Sequence, residues 1–421
     1  MAKRVAPADG ILVPPPPPAK PSMRAIYHAV RATFCGGGTS SGVKFLKLVQ
    51  QSMICQARLT HHTTLLDDGE TLHYWVRKGS TSGGASSSTL PPIIVLPGLR
   101  EGLETMARLT VTLSLPCSDV YLLELPTSAL TSALTSAQRG TDEIDARARA
   151  TVDDAYGLLC SLLRHLMRDE TGPALSDDPA DRRHGFVLVG MSTGGHAAYT
   201  FAQRLGAADA RAVGLPPLRA LGLVHPAGAC LSDALLHRLS TSALAGAPSG
   251  FPFAWEDNEG CWECLVAWCG ANGASIPAWF HHGLVALSAQ RFPPGHWPAV
   301  VASWASDYAP LVAEGARDGA SAERAARLAS ELEAFRTYAA QHRTHVLVLG
   351  SAMDATCSST KMRDELTPAI GGDFRLLPNE AGGHMSLGDE ANAHIYEVAG
   401  PALGRWLVEV GLAATGAAVA C

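Results

Sequence analysis

Five short, largely apolar runs constrain this chain more than any other feature: IIVLPG (93–98), VYLLELP (120–126), FVLVG (186–190), ALGLVHP (220–226) and THVLVLG (344–350). None alternates apolar with polar, so each reads as a strand buried on both faces, as in a parallel sheet. Helical stretches separate several of them, most clearly DEIDARARATVDDAYGLLCSLLRHLMRD (142–169) and GGHAAYTFAQRLG (194–206). Strand and helix in alternation predict an α/β fold, a mostly parallel central sheet flanked by helices. Before them, two β-rich runs in ARLTHHTTLLDDGETLHYWVRKG flank Asp68-Gly69, a hairpin signal. STSGGASSSTLPP follows as a flexible surface loop.

One interval breaks this rhythm. Residues 230–344 hold Trp255, Trp262, Trp268, Trp279, Trp297 and Trp304, six of the eight tryptophans, in pieces cut by Pro and Gly. We read this interval as a mainly helical cap inserted after the sixth strand, between core segments 59–229 and 345–412. Residues 413–421 form a tail. Residues 1–58 read as an extension, with VPPPPPAKP a polyproline spacer. From Lys20 to Arg58 the extension is basic and free of acids, and Phe45, Leu46, Val49 and Met53 fall near one helical face. Such a segment packs on its own domain, serves as an organelle transit segment, or makes a peripheral membrane contact through residues 24–58.

Charged residues are only 17% of the 421 and the net charge is −6, a packed globular composition that gives no reason to expect nucleic acid as partner. The ten cysteines are scattered, and CWEC (261–264) lacks a second pair or histidines in register, so no metal site is expected. Reduced, apolar cysteines point to an intracellular, cytoplasmic protein, with organelle targeting by the leader as the alternative.

The pentapeptide G-x-S-x-G occurs twice, at Gly38-Ser40-Gly42 and at Gly190-Ser192-Gly194. Chance alone gives roughly 0.3 matches in a chain this rich in Gly and Ser, so the surroundings must decide. The first copy follows RATFC rather than an apolar strand. The second lies between FVLVG and GGHAAYTF, at a strand-to-helix turn, where Gly190 and Gly194 leave room for close backbone approach. A serine there needs a base, and the base an orienting acid. Asp354 follows THVLVLG, and His384 lies in a glycine-rich loop after FRLL. Three loops at strand ends thus supply Ser, Asp and His in that order. His196 reads as structural, because its ring lies along the flank of the helix that Ser192 opens. Glu124 reads as a hydrogen-bonded structural carboxylate, and Asp373, Asp389 and Glu390 as solvated charges. After the sixth strand stands His225-Pro226, with no carboxylate until Asp233.

With PGL (97–99), GMSTG (190–194), GSAMD (350–354) and AGGH (381–384), the chain resembles the α/β-hydrolase fold superfamily, in its serine-nucleophile, lipase- and esterase-like branch, from about residue 60 to 412. The resemblance implies Ser192 as nucleophile, Asp354 as acid and His384 as base. It further implies an oxyanion hole made by the backbone N–H groups of Leu99 and Thr193. Pro97-Gly98 stands where family members often have His-Gly. The implied reaction is hydrolysis of a carboxylic ester with an apolar acyl group through an acyl-enzyme, with no metal or organic cofactor. An acyltransferase or thioesterase would use the same triad, and a peptidase or carbon–carbon hydrolase is a further alternative. A binding or scaffold protein that retains the fold is the alternative from another class.

Overall fold

The computed structural model describes residues 54–65, 71–79, 90–98, 103–113, 118–125, 152–168, 184–207, 212, 214–237, 310–311, 313–315, 317, 319–352, 354, 356–378, 384 and 395–413. Eight strands form one sheet: β1 (Thr60–Leu65), β2 (Thr71–Arg77), β3 (Ile93–Leu96), β4 (Val120–Leu123), β5 (Phe186–Met191), β6 (Leu218–Val224), β7 (His345–Ser351) and β8 (Asp373–Leu377). Their order is β1-β2-β4-β3-β5-β6-β7-β8. β2 pairs antiparallel with both neighbours, and every other pairing is parallel. The expected hairpin is present, with Leu65 opposite Thr71.

The five apolar runs became β3 to β7, and their residues divide between the two faces by the strand period of two. Ile94, Leu188, Leu221 and Val348 face one apolar layer, while Ile93, Val95, Val187, Val189 and Leu347 face the other. Both faces are therefore covered, which is why these strands carry no polar alternation.

Among the described residues, five longer helices supply the covering. α1 (Leu103–Thr112) and α5 (Ile395–Glu409) flank one face, and α2 (Val152–Arg168), α3 (Thr193–Gly206) and α4 (Ala320–His342) flank the other. α3 turns Ala197, Ala198, Phe201, Ala202 and Leu205 inward, a stripe of small residues around one ring that brings the helix close to the sheet. α4 buries Leu328, Leu332 and Phe335 in the same layer. The sequence reading places this helix in the 230–344 cap, whereas it packs as a flanking helix of the core. Residues 238–309 of that interval, with all six of its tryptophans, lie outside the described residues.

Of the 1–58 extension, residues 54–58 are described, and Ile54 and Ala57 are buried in the layer of α1 and α5. The decoy serine Ser40 and the rest of the basic segment lie outside the described residues. Among those described, no helix is long and apolar enough to cross a membrane.

Because β5, β6, β7 and β8 are adjacent and parallel, their carboxyl ends lie side by side along one edge of the sheet. Side chains that follow these strands can therefore converge although they are far apart in sequence.

Candidate active site

Ser192 follows β5 directly and stands before the first residue of α3, at φ 50° and ψ −115°. Positive φ in a non-glycine residue is strained and needs surrounding structure to hold it. Hydrogen bonds from Ser192 N to Val224 O (3.0 Å) and from Ala227 N to Ser192 O (2.9 Å) tie the turn to the end of β6. The glycines on either side have no room for a side chain. A Cβ at Gly190 would stand 2.4 Å from Gly194 O, and one at Gly194 would stand 2.4 Å from both Leu96 O and Pro97 O. The second contact brings the end of β3 against the start of α3. Thr193 opens α3, so its N–H belongs to the first helical turn, whose amides have no acceptor within the helix. Leu99, its sequence-predicted partner in an oxyanion hole, lies outside the described residues.

The three side chains singled out from sequence are brought together. Ser192 Oγ lies 2.8 Å from His384 Nε2, and His384 Nδ1 lies 2.8 Å from Asp354 Oδ2. The other carboxylate oxygen, Oδ1, accepts the backbone N–H groups of Thr356 and Cys357, both at 2.8 Å. The loop that carries Asp354 is fixed in turn by the segment after β6: Ser232 N donates to Thr356 O (2.8 Å) and Ser358 N to Cys230 O (2.7 Å). Burial by itself pushes the Asp354 carboxyl up, yet the charges and hydrogen bonds of His384 and His225 outweigh it and hold the group well below its ordinary 3.8. The acid is thus an ionised carboxylate with its side chain fully buried.

His225 is the residue that sequence reasoning missed. It follows β6 directly, and its Nδ1 lies 2.5 Å from Asp354 Oδ2, the same oxygen that His384 engages. The signal was available, since a histidine at the carboxyl end of a buried parallel strand is placed like the triad members. The triad pattern calls for a carboxylate at that position, and a histidine there does not fit it.

His225, Asp354 and His384 have the residue types of a metal site. Their spacing is that of hydrogen bonds, 2.5 and 2.8 Å from each Nδ1 to one shared oxygen. Donors around one tetrahedral ion at about 2.1 Å would stand about 3.4 Å apart.

The side chains set aside from sequence are engaged elsewhere. His196 Nδ1 bonds the Tyr199 hydroxyl, which also accepts from Ala229 N at 3.2 Å. Burial lowers the His196 pKa to about 4, so its ring is neutral. Glu124 is buried, and Asp373 is exposed at the start of β8. Cys230 and Cys357 are free and buried, and burial pushes both thiols up, away from the thiolate that a nucleophile needs.

No family model matches the chain, and no curated protein matches its sequence. Solved structures do resemble it. A membrane phospholipase A described as a bacterial virulence factor is 15% identical, with a TM-score of 0.48 over 93% of this chain and 96% of that one. A haloalkane dehalogenase variant from Bradyrhizobium elkanii is 13% identical, with a TM-score of 0.47 over 84% and 97%. A carboxylesterase from Bacillus subtilis is also 13% identical, with a TM-score of 0.44 over 82% and 92%. With eight strands in the order β1-β2-β4-β3-β5-β6-β7-β8, β2 alone reversed, and helices on both faces, the chain has the α/β-hydrolase fold.

Proposed function

We propose that the protein is a serine hydrolase that cleaves a carboxylic ester with an apolar acyl group through an acyl-enzyme. The observation that carries this reading is the continuous chain from Ser192 Oγ through His384 to Asp354, at 2.8 Å for each link. His384 Nε2 takes the hydroxyl proton as Oγ attacks the carbonyl carbon. The N–H of Thr193 receives the developing oxyanion, with Leu99 as the second donor inferred from the family resemblance. Collapse of the tetrahedral intermediate breaks the ester bond, and the leaving alcohol takes the proton from His384. Water then enters, gives a proton to His384 and attacks the acyl carbon; as the second tetrahedral intermediate collapses, His384 returns that proton to Ser192 Oγ and the acid departs. Throughout, Asp354 keeps a proton on Nδ1 and stabilises the imidazolium. The apolar acyl preference rests on the tryptophan-rich composition of residues 230–344.

Labelling with a fluorophosphonate probe tests the nucleophile. Wild-type protein and Ser40→Ala are expected to label, and Ser192→Ala to stay unlabelled while folded. Labelling that persists in Ser192→Ala would remove the proposal. Turnover of p-nitrophenyl esters of increasing acyl length then ranks the pocket, and dependence on an added alcohol or thiol acceptor would favour acyl transfer over hydrolysis.

A further inference from the structure

Asp354 serves two histidines with one oxygen, and the proposed triad accounts for only one of them. His225 lies at the tip of β6 with its side chain 4% exposed. Its backbone is at φ 46°, a strained value for a non-glycine residue, and all the more so before Pro226. The strain is held in place by His225 N bonding to Leu349 O of β7 at 2.9 Å, and by the bonds that join Val224 and Ala227 to Ser192. Such a conformation aims the ring at Asp354, 129 residues further along the chain. Among the described residues, Nε2 of His225 meets no hydrogen-bond partner. The proton on Nδ1 is the one donated to Asp354 Oδ2.

We propose that His225 is a positioning residue of this centre, acting on the base His384 through the Asp354 oxygen that the two rings share. The inference rests on the serine-hydrolase reading. Two amides already fix Oδ1, so His225 is not needed to keep the carboxylate from swinging away. What it changes is Oδ2. A second N–H donor there draws off part of the negative charge that His384 Nδ1–H would otherwise meet, which limits how strongly the imidazolium is favoured. His384 then remains an unprotonated base to lower pH than an Asp–His pair alone would allow. The titratable groups around this oxygen, among the described residues, are His225 from β6, Cys230 beyond it, Asp354 and Cys357 after β7, and His384 after β8. The Lys361–Asp233 ion pair lies behind the cysteines.

The test compares full-length wild type, His225→Leu and His225→Asn. Leucine keeps the bulk without a donor, and the asparagine amide replaces the Nδ1 donor. Fluorophosphonate labelling rates are measured across pH. His225→Leu is expected to label at the optimum at least as fast as wild type, because the His384 imidazolium is then favoured more strongly. Its acid limb should also move to higher pH, and His225→Asn should bring the limb back towards wild type. An acid limb in folded His225→Leu that coincides with wild type would overturn the proposal, as would a limb that His225→Asn leaves displaced. If His225→Leu does not fold, proton NMR of wild type and His225→Asn decides. Wild type should show two strongly downfield imidazole N–H resonances, and His225→Asn only one, near its wild-type position. A single such resonance in wild type would sink the proposal. Absence of labelling in wild type would instead fail the serine-hydrolase reading, while the NMR result would still report on the contact between His225 and Asp354.

Discussion

At Asp354 four donors converge on two buried oxygens: the Thr356 and Cys357 amides on Oδ1, and His225 and His384 on Oδ2. This residue carries two predictions. Asp354→Asn should cut turnover by about 10⁴-fold, because an amide nitrogen facing Nδ1 favours the wrong imidazole tautomer. Steady-state kinetics on an ester substrate checks it, and a loss below about tenfold would remove Asp354 from the acid's role. The second concerns stability. The folded carboxyl titrates well below its ordinary 3.8, so its contribution is complete above that value and is lost as pH falls through the folded value. The urea midpoint of wild type should therefore drop steadily below about pH 4, and Asp354→Asn should lack that part of the slope. Parallel acid slopes for the two proteins would contradict this. Ser192, His384 and Asp354 were legible in the sequence because each follows a run whose strand character is local. His225 stands at an equally legible strand end, but the direction of its ring, set by a positive φ, is what brings it to Asp354, and no residue pattern announces that.

The strand-to-helix turn joins β5 to α3, and its tolerance for change is set by backbone contacts. Gly194→Ala would drive a Cβ into the Leu96 and Pro97 carbonyls, both part of a backbone that cannot yield without moving β3. It should cost about 1–3 kcal/mol or more and slow labelling as well, since the same shift displaces Ser192. Gly214→Ala is the control: it has open space but a φ of 79°, so it should cost about 1 kcal/mol of backbone strain and leave labelling intact. Chemical denaturation of both variants, with labelling alongside, checks the pair; equal losses would mean that the turn is not the tight point. Strands β3 to β7 were legible because burial on both faces demands apolar residues throughout. Helix α4 was absorbed into the predicted cap because only Leu328, Leu332 and Phe335 mark its buried stripe, among alanines and charges. Its place in the core follows from packing on α3, which a stripe of small residues hides from the sequence.

At the scale of the whole molecule, the sheet separates two apolar layers among the described residues. Phe335 lies in the layer of α2, α3 and α4, and Trp406 in that of α1 and α5, each at most 1% exposed. Phe335→Leu and Trp406→Phe should each cost about 1–3 kcal/mol. Because they lie in different layers, the double variant should equal their sum within about 0.5 kcal/mol. Urea unfolding of the four proteins closes this cycle, and a coupling above about 1 kcal/mol would show that the sheet transmits strain between its faces. The sheet, its parallel character and the strand ends that bear Ser192, Asp354 and His384 follow from the order of residues, because apolar continuity and strand-end position are properties of short segments. That His225 meets Asp354 and that α4 is a wall of the core emerge from the folded chain. Those facts depend on which strand tips and helix faces stand opposite each other, and that follows from the packing of segments more than a hundred residues apart.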